Sequence, residues 1–228
     1  MKNLVRTGLI WSSLTLAIMV AAIIYAWISL PRGEQIPVHW NFAGEADRFA
    51  GFAEAMWIVA LPAGIAVLTS ILLAVIPFVT PRRENFMKSS RAYLAAWIGS
   101  NILIAGVTLL VVWSMLVRSE DTTNIVIRLV LPATCLLMIA IGNYLPKTSA
   151  NFFVGVRTPW TLSSDYTWTK THRLAGWLLV LSGLIGLPFA VFGNALWQIM
   201  LVVPLILSAM VVSVFYSYMV WRTAPDRT

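Results

Sequence analysis

The stretch LAGWLLVLSGLIGLPFAVFGNALWQIMLVVPLILSAMVVSVFYSYMVW, from Leu174 to Trp221, holds 48 residues without one Asp, Glu, Lys or Arg. As a single helix it would extend about 72 Å at ~1.5 Å per residue. A bilayer core of about 30 Å needs less than half of that. The run must fold back on itself, and the turn signal Gly193-Asn194 marks where. Two spans result, Leu174–Asn194 and Ala195–Trp221. Four more charge-free runs precede them: Gly8–Leu30, Ala55–Val79, Ala92–Val117 and Leu129–Pro146. The last of these begins a few residues earlier, near Ile125, with Arg128 reaching the interface along its aliphatic stem. The pattern predicts an all-α integral membrane protein with six transmembrane helices. Composition agrees: 59% of the 228 residues are hydrophobic and 11% charged, with a mean hydropathy of +0.82. Soluble domains carry about 25% charged residues, so this chain cannot cover a soluble surface, and a soluble monomer and a disordered chain are both excluded. The first span is longer than a secretory h-region and reads as a retained anchor.

Charge sets the expected orientation. Lys2, Arg6, Arg82, Arg83, Lys88, Arg91, Lys147, Arg157, Lys170, Arg173, Arg222 and Arg227 fall in segments on one side of the six spans. Only Arg32, Arg48, Arg118 and Arg128 fall on the other. The basic side is expected to be cytoplasmic, with both termini inside. The net charge of +7 is then a topology signal and requires no nucleic acid. Trp11, Trp27, Trp57, Trp97, Trp113, Trp177, Trp197 and Trp221 lie near span ends and are expected to anchor at the headgroups. Pro62, Pro132, Pro188 and Pro204 are expected to kink their helices. Ala95 and Gly99 permit one close helix approach.

Two connectors hold most of the remaining information. The expected organisation is an N-terminal helix pair, residues 1–80, with an outward loop at 31–54. A four-helix region follows, residues 81–228, with a cytoplasmic motif loop at 146–173. The outward loop contains Ile36-Pro37-Val38-His39-Trp40-Asn41, then Gly44-Glu45-Ala46-Asp47. Pro37 keeps the chain extended, and Gly44 permits a tight turn. Pro37, His39, Trp40, Asn41, Gly44, Glu45 and Asp47 are the candidate outer ligand residues. Two readings stay open for them: a folded lid for a peptide or cation, and a structured loop whose Trp40 and Phe42 rest on the interface. One His and two acids match no recognised metal-ligand spacing.

The inner loop carries Asn143-Tyr144-Leu145-Pro146-Lys147, Asn151, Gly155-Val156-Arg157-Thr158-Pro159-Trp160-Thr161, and Trp168 with Thr171-His172-Arg173. Pro146 and Pro159 break helices, and Gly155 suits a turn. Ser164 is expected to cap a helix starting near Asp165. Lys147, Arg157, Lys170 and Arg173 could bind lipid phosphates or a partner's acidic groups; the plainer reading is solvated positive charge, except that Arg157 is expected to be held by a packed turn. His172 reads as an interface polar group. The candidate inner motif is Asn143, Pro146, Lys147, Asn151, Gly155, Arg157, Thr158, Pro159, Trp160, His172 and Arg173.

These inner motifs resemble the signature of the SdpI family of bacterial membrane proteins. The outer segment Ile36–Asn41 with Gly44 and Asp47 resembles the small N-terminal domain that often precedes it. The resemblance implies a multi-pass protein of the bacterial plasma membrane. It implies immunity to a secreted peptide toxin that acts on the membrane. It also implies signalling, in which the toxin-bound protein recruits a transcriptional repressor. The partners so implied are membrane lipids, a secreted peptide outside and a repressor inside, with no direct contact to nucleic acid.

Other classes find less support. The spans hold no ionisable Asp, Glu, Lys or Arg, which proton- and ion-coupled carriers normally keep at membrane depth. A transporter or channel for a peptide or lipid stays as the alternative, on the strength of the prolines in four spans. An enzyme using His39 with Glu45 or Asp47 as acid and base lacks a nucleophile or metal framework. No catalytic residue, cofactor or metal is expected. The single Cys135 can form no internal disulfide.

Overall fold

The computed structural model of the chain describes residues 1–41, 45–117, 122–193 and 198–227, the side chains of 122–127 apart. Phe42, Gly44, Arg118, Asn194 and Trp197 lie outside the described residues. The long helices are α1 (Lys2–Ser29), α2 (Phe52–Val79), α4 (Ser90–Val117), α5 (Thr122–Tyr144), α7 (Asp165–Phe192) and α8 (Val203–Arg222). Short helices α3 (Arg83–Lys88) and α6 (Pro159–Leu162) lie in connections, a 3₁₀ turn (Leu145–Lys147) extends α5, and a π-helical turn (Gln198–Val202) leads into α8. Six segments are long and apolar enough to cross a membrane. A 28-residue helix such as α1 is about 42 Å long at ~1.5 Å per residue. That exceeds a hydrocarbon core of about 30 Å, so its ends stand among the headgroups. Pro62, Pro132 and Pro188 lie inside helices as expected, and Pro77 joins them. Pro204 stands in the first turn of α8, directly after the π-helical turn.

The six-helix expectation holds, with one addition. The segment expected as a loop at 31–54 contains an antiparallel hairpin, β1 (Ile36–Trp40) and β2 (Ala46–Ala50), which pairs Ile36 with Ala50 and Trp40 with Ala46. Pro37 argues against a strand in a wide sheet, but each strand of a two-stranded ribbon has a free edge on which proline is tolerated. Ile36, Val38 and Trp40 alternate along β1 and face the bundle. Ile36 is fully buried among Ala26, Leu30, Val59, Val112 and Met115, and Val38 and Trp40 pack on that cluster. The hairpin is therefore a lid on one end of α1, α2 and α4. Both termini, α3 and the 146–173 segment share the other end, where Leu4 and Val5 pack with Phe86 and Val154.

In lipid, apolarity alone does not bring helices together; close packing and hydrogen bonds do. The α1–α2–α4 group is joined by a buried polar knot. Ser12 Oγ accepts from Ser70 Oγ at 2.9 Å, from Trp97 Nε1 at 3.0 Å and from Asn101 Nδ2 at 3.3 Å. Trp97 thus corrects the expectation of an interface anchor: it is fully buried, and its ring lies where a Cβ on Gly8 would stand. Trp27, Trp57 and Trp177 do remain widely exposed on the surface that lipid would cover. Helices α5 and α7 meet through glycine. A Cβ on Gly176 would come within 2.6 Å of Pro146 Cδ and 2.7 Å of the Gly142 carbonyl oxygen. Gly99, expected at a close approach, does face Leu137 of α5.

Candidate functional site

The inner motif is a folded plug, built by polar side chains that satisfy an irregular backbone. Asn151 is fully buried at its hub. Its Oδ1 accepts from the N–H groups of Phe153 at 2.9 Å and Val154 at 2.7 Å. Its Nδ2 donates to the Ser149 carbonyl at 2.8 Å and to Ser89 Oγ at 3.2 Å. Ser89 Oγ also accepts from the Ser149 N–H, and Asn85 Nδ2 donates to the Ala150 carbonyl at 2.9 Å. The start of α4 is thereby tied to the loop.

His172 forms the second tie. Its Nε2 accepts the Val156 N–H at 2.9 Å, which leaves the ring proton on Nδ1 to reach the Trp168 carbonyl at 2.8 Å. The imidazole stacks on Trp168 with centroids 3.9 Å apart, and Trp168 Nε1 donates to the Thr148 carbonyl. Far from being an interface group, His172 is fully buried with both ring nitrogens engaged. The expectation failed because a neighbour in sequence does not share its face: His172 is buried while Arg173, about 100° further round the helix, is exposed. Gly155 lets the loop reach this ring: it has φ +114°, and a Cβ there would overlap the imidazole.

Caps complete the plug. Thr158 caps α6 through a reciprocal box with Thr161, and its hydroxyl also meets Ser217 Oγ of α8 at 3.2 Å. Pro159 occupies the first turn of α6, and Trp160 packs on Tyr218 with centroids 5.0 Å apart. Ser164 caps α7 as expected, accepting the Thr167 N–H. A partner absent from the sequence reading joins it: the Asp226 carboxylate takes the Ser164 hydroxyl at 2.6 Å and the Tyr166 N–H at 3.1 Å. Those bonds, the Ser164 hydroxyl foremost, hold the Asp226 carboxyl below its ordinary range. Pro146 lies against Gly176, and Arg157 is held as expected, its Nη1 donating to the Phe152 carbonyl at 2.9 Å. Asn143, Lys147, Arg157, Lys170 and Arg173 are exposed. Beneath the plug lies a largely apolar cavity of about 550 Å³, roofed by residues 153–158 and walled by Tyr93, Trp97, Leu137, Leu179 and Met210.

The hairpin lies at the other end of the bundle, so the two candidate sites are not one constellation. Its outer face carries His39, whose Nδ1 lies 2.6 Å from Asp47 Oδ1, and an ion pair of Arg48 with Glu54. Asn41 and Glu45 are bonded through side chain and backbone, closing the hairpin. Pro37 is buried and Trp40 half-buried against the bundle, so neither is offered to a ligand. At the base, Arg32 lies over Trp27 and Phe52, 5.1 and 5.2 Å from their centroids. Among the described residues no group of three His, Cys, Asp or Glu could hold a metal.

Residues 147–217 match the SdpI/YfhL protein family, and residues 14–65 match a domain of unknown function, DUF1648. The chain is 25% identical over 203 residues to "Immunity protein SdpI" of Bacillus subtilis (strain 168), covering 89% of each chain. No solved structure matches. The first family model takes in most of the inner plug and the greater part of α8, and the second takes in the hairpin with parts of α1 and α2. The chain is thus a multi-pass bacterial plasma-membrane protein in which a segment matching the SdpI/YfhL family follows one matching DUF1648.

Proposed function

We propose that this protein confers immunity on its own cell against a membrane-active peptide, which it engages from the hairpin end. The observation that carries the reading is the likeness to an immunity protein along 89% of both chains, which includes lid and plug together. In this reading the termini and the plug face the cytoplasm, as the side bearing most of the lysine and arginine should. The hairpin then faces outward. Its exposed His39, Asp47, Arg48 and Phe49 offer charge of both signs beside an aromatic surface, which suits an amphipathic peptide.

The plug supplies the second half of the proposal. Lys147, Arg157, Lys170 and Arg173 present a basic surface to the cytoplasm, suited to an acidic face of a repressor protein. Binding at the lid shifts such a surface only if the peptide prefers one of two arrangements of the bundle. Each tenfold preference corresponds to about 1.4 kcal/mol.

The test is survival. Sensitive cells with and without the protein are challenged with a panel of membrane-active peptides while the membrane potential is followed. Protection against at least one peptide, lost when the hairpin face is replaced by serines, supports the reading. Equal killing and equal depolarisation across the panel would end it. Labelling of single cysteines placed at His39 and Arg157 with an impermeant reagent checks the orientation separately: only the first should react in intact cells.

A further inference from the structure

A long concavity lies on the side of the bundle, between α4 and α5. It measures about 940 Å³ and runs from Arg91 and Tyr144 at the plug end to Leu110 and Leu129. From residue 91 to 110 the helix rises about 28 Å at ~1.5 Å per residue, nearly the thickness of a hydrocarbon core of about 30 Å. The walls are aliphatic, with the small residues Ala95, Gly106, Ala133 and Ala140 among them, and a Cβ on Gly106 would meet only open space; a groove of this length and lining suits a polymethylene chain.

Charge identifies the rest of the occupant. Among the described residues Arg91 is the one charged residue on the groove's wall. Tyr144 lines the same end, and the Lys147 ammonium lies 5.4 Å from its ring centroid. Among the described residues neither Arg91 nor Lys147 has a carboxylate partner; the ion pairs there are His39–Asp47 and Arg48–Glu54. Two cations without a carboxylate partner among the described residues thus stand at one end of a long apolar groove.

We propose that this groove is a binding site for an anionic phospholipid, with its phosphate at Arg91 and Lys147 and an acyl chain along Ala95, Gly106 and Ala140. The site faces the bilayer, so its occupant is membrane lipid, and the paired cations select phosphatidylglycerol over a zwitterionic lipid.

The experiment uses the full chain in nanodiscs of phosphatidylcholine doped with diazirine-acyl phosphatidylglycerol or diazirine-acyl phosphatidylcholine. Label is mapped by mass spectrometry. Phosphatidylglycerol is expected to label the α4 and α5 walls in preference to phosphatidylcholine. Each basic residue near an anionic lipid contributes about fivefold, so Arg91→Gln with Lys147→Gln should cut the preference about 25-fold. Arg91→Lys should keep most of it. Ala95→Phe, which fills the slot but keeps the cations, should lower groove labelling and leave labelling elsewhere unchanged. Equal labelling by the two lipids, a preference indifferent to the double Gln variant, or cross-linking of a second copy through this groove would each overturn the proposal.

Discussion

Replacing Gly155 by alanine attacks the plug at the point where backbone and side chain are most tightly bound to each other. Two costs arise. At φ +114° an L-residue is strained, by about 1–3 kcal/mol. The new methyl also occupies the place of the His172 ring. The imidazole must then move and abandon the Val156 N–H, and a buried donor left alone costs about 1–3 kcal/mol. Gly155→Ala should therefore destabilise the protein by about 4 kcal/mol. His172→Ala removes the same acceptor and leaves a void beside Trp168, for about 3 kcal/mol. The informative quantity is the double variant. With the ring gone, Gly155→Ala meets no clash and adds only its strain, about 2 kcal/mol. The pair should fall about 2 kcal/mol short of additivity, within the range for residues in contact.

Reversible unfolding of the four proteins in mixed micelles, followed by tryptophan fluorescence, measures this cycle. Additive costs would refute the claim that Gly155 is glycine because of His172. A large cost of Gly155→Ala that survives unchanged in the His172→Ala background would assign it to backbone strain alone.

Three further outcomes follow from the same structure. Asn151→Ala leaves the Phe153 and Val154 amides without their acceptor and should cost about 3 kcal/mol; protease sensitivity at 149–157 should rise while the spans stay inserted. Gly176→Leu drives a side chain into Pro146 and the Gly142 carbonyl and should cost about 3 kcal/mol by forcing α5 from α7, read as a lower unfolding midpoint. Asp226 fixes the sign of a pH effect. Its carboxyl is depressed in the folded state, so its contribution is complete above the ordinary aspartate value near about 4 and is lost as pH falls through the lowered one. Hydrogen exchange at the Tyr166 amide should show protection declining over that acid range, and Asp226→Asn should abolish the step.

What the sequence disclosed and what it withheld divide along a physical line. Span number was legible, because a charge-free run must either cross the bilayer or double back, and 48 residues permit only the second. Helix starts were legible where a cap is local, as at Ser164. Which face of a span turns inward was not. In water the buried face of a helix is its apolar face; in lipid both faces are apolar, so periodicity says nothing. Trp97 illustrates the loss. It stands at a depth where tryptophans anchor, yet it points at Gly8 and Ser12, partners 89 and 85 residues earlier in the chain. The Gly142–Gly176 contact was hidden for the same reason.

The inner motif shows why residue types alone mislead about roles. A connector at the membrane surface that leaves helical geometry must still satisfy each buried N–H and C=O. Asn151, Thr158, Thr161 and His172 each accept at least one such N–H. They would be required for folding whatever the loop recognises. Polar and titratable residues in a motif suggest chemistry, but here burial accounts for them. The residues left over are the exposed cations Lys147, Arg157, Lys170 and Arg173. Of these, Arg157 is engaged with the Phe152 carbonyl, and Lys147 and Lys170 lie over Tyr144 and Tyr166. In the proposed function recognition at this end falls to these exposed cations, two of them held over aromatic rings, and variants there should change binding without changing stability. Variants of the buried set should do the reverse, and that separation distinguishes a scaffold from a site.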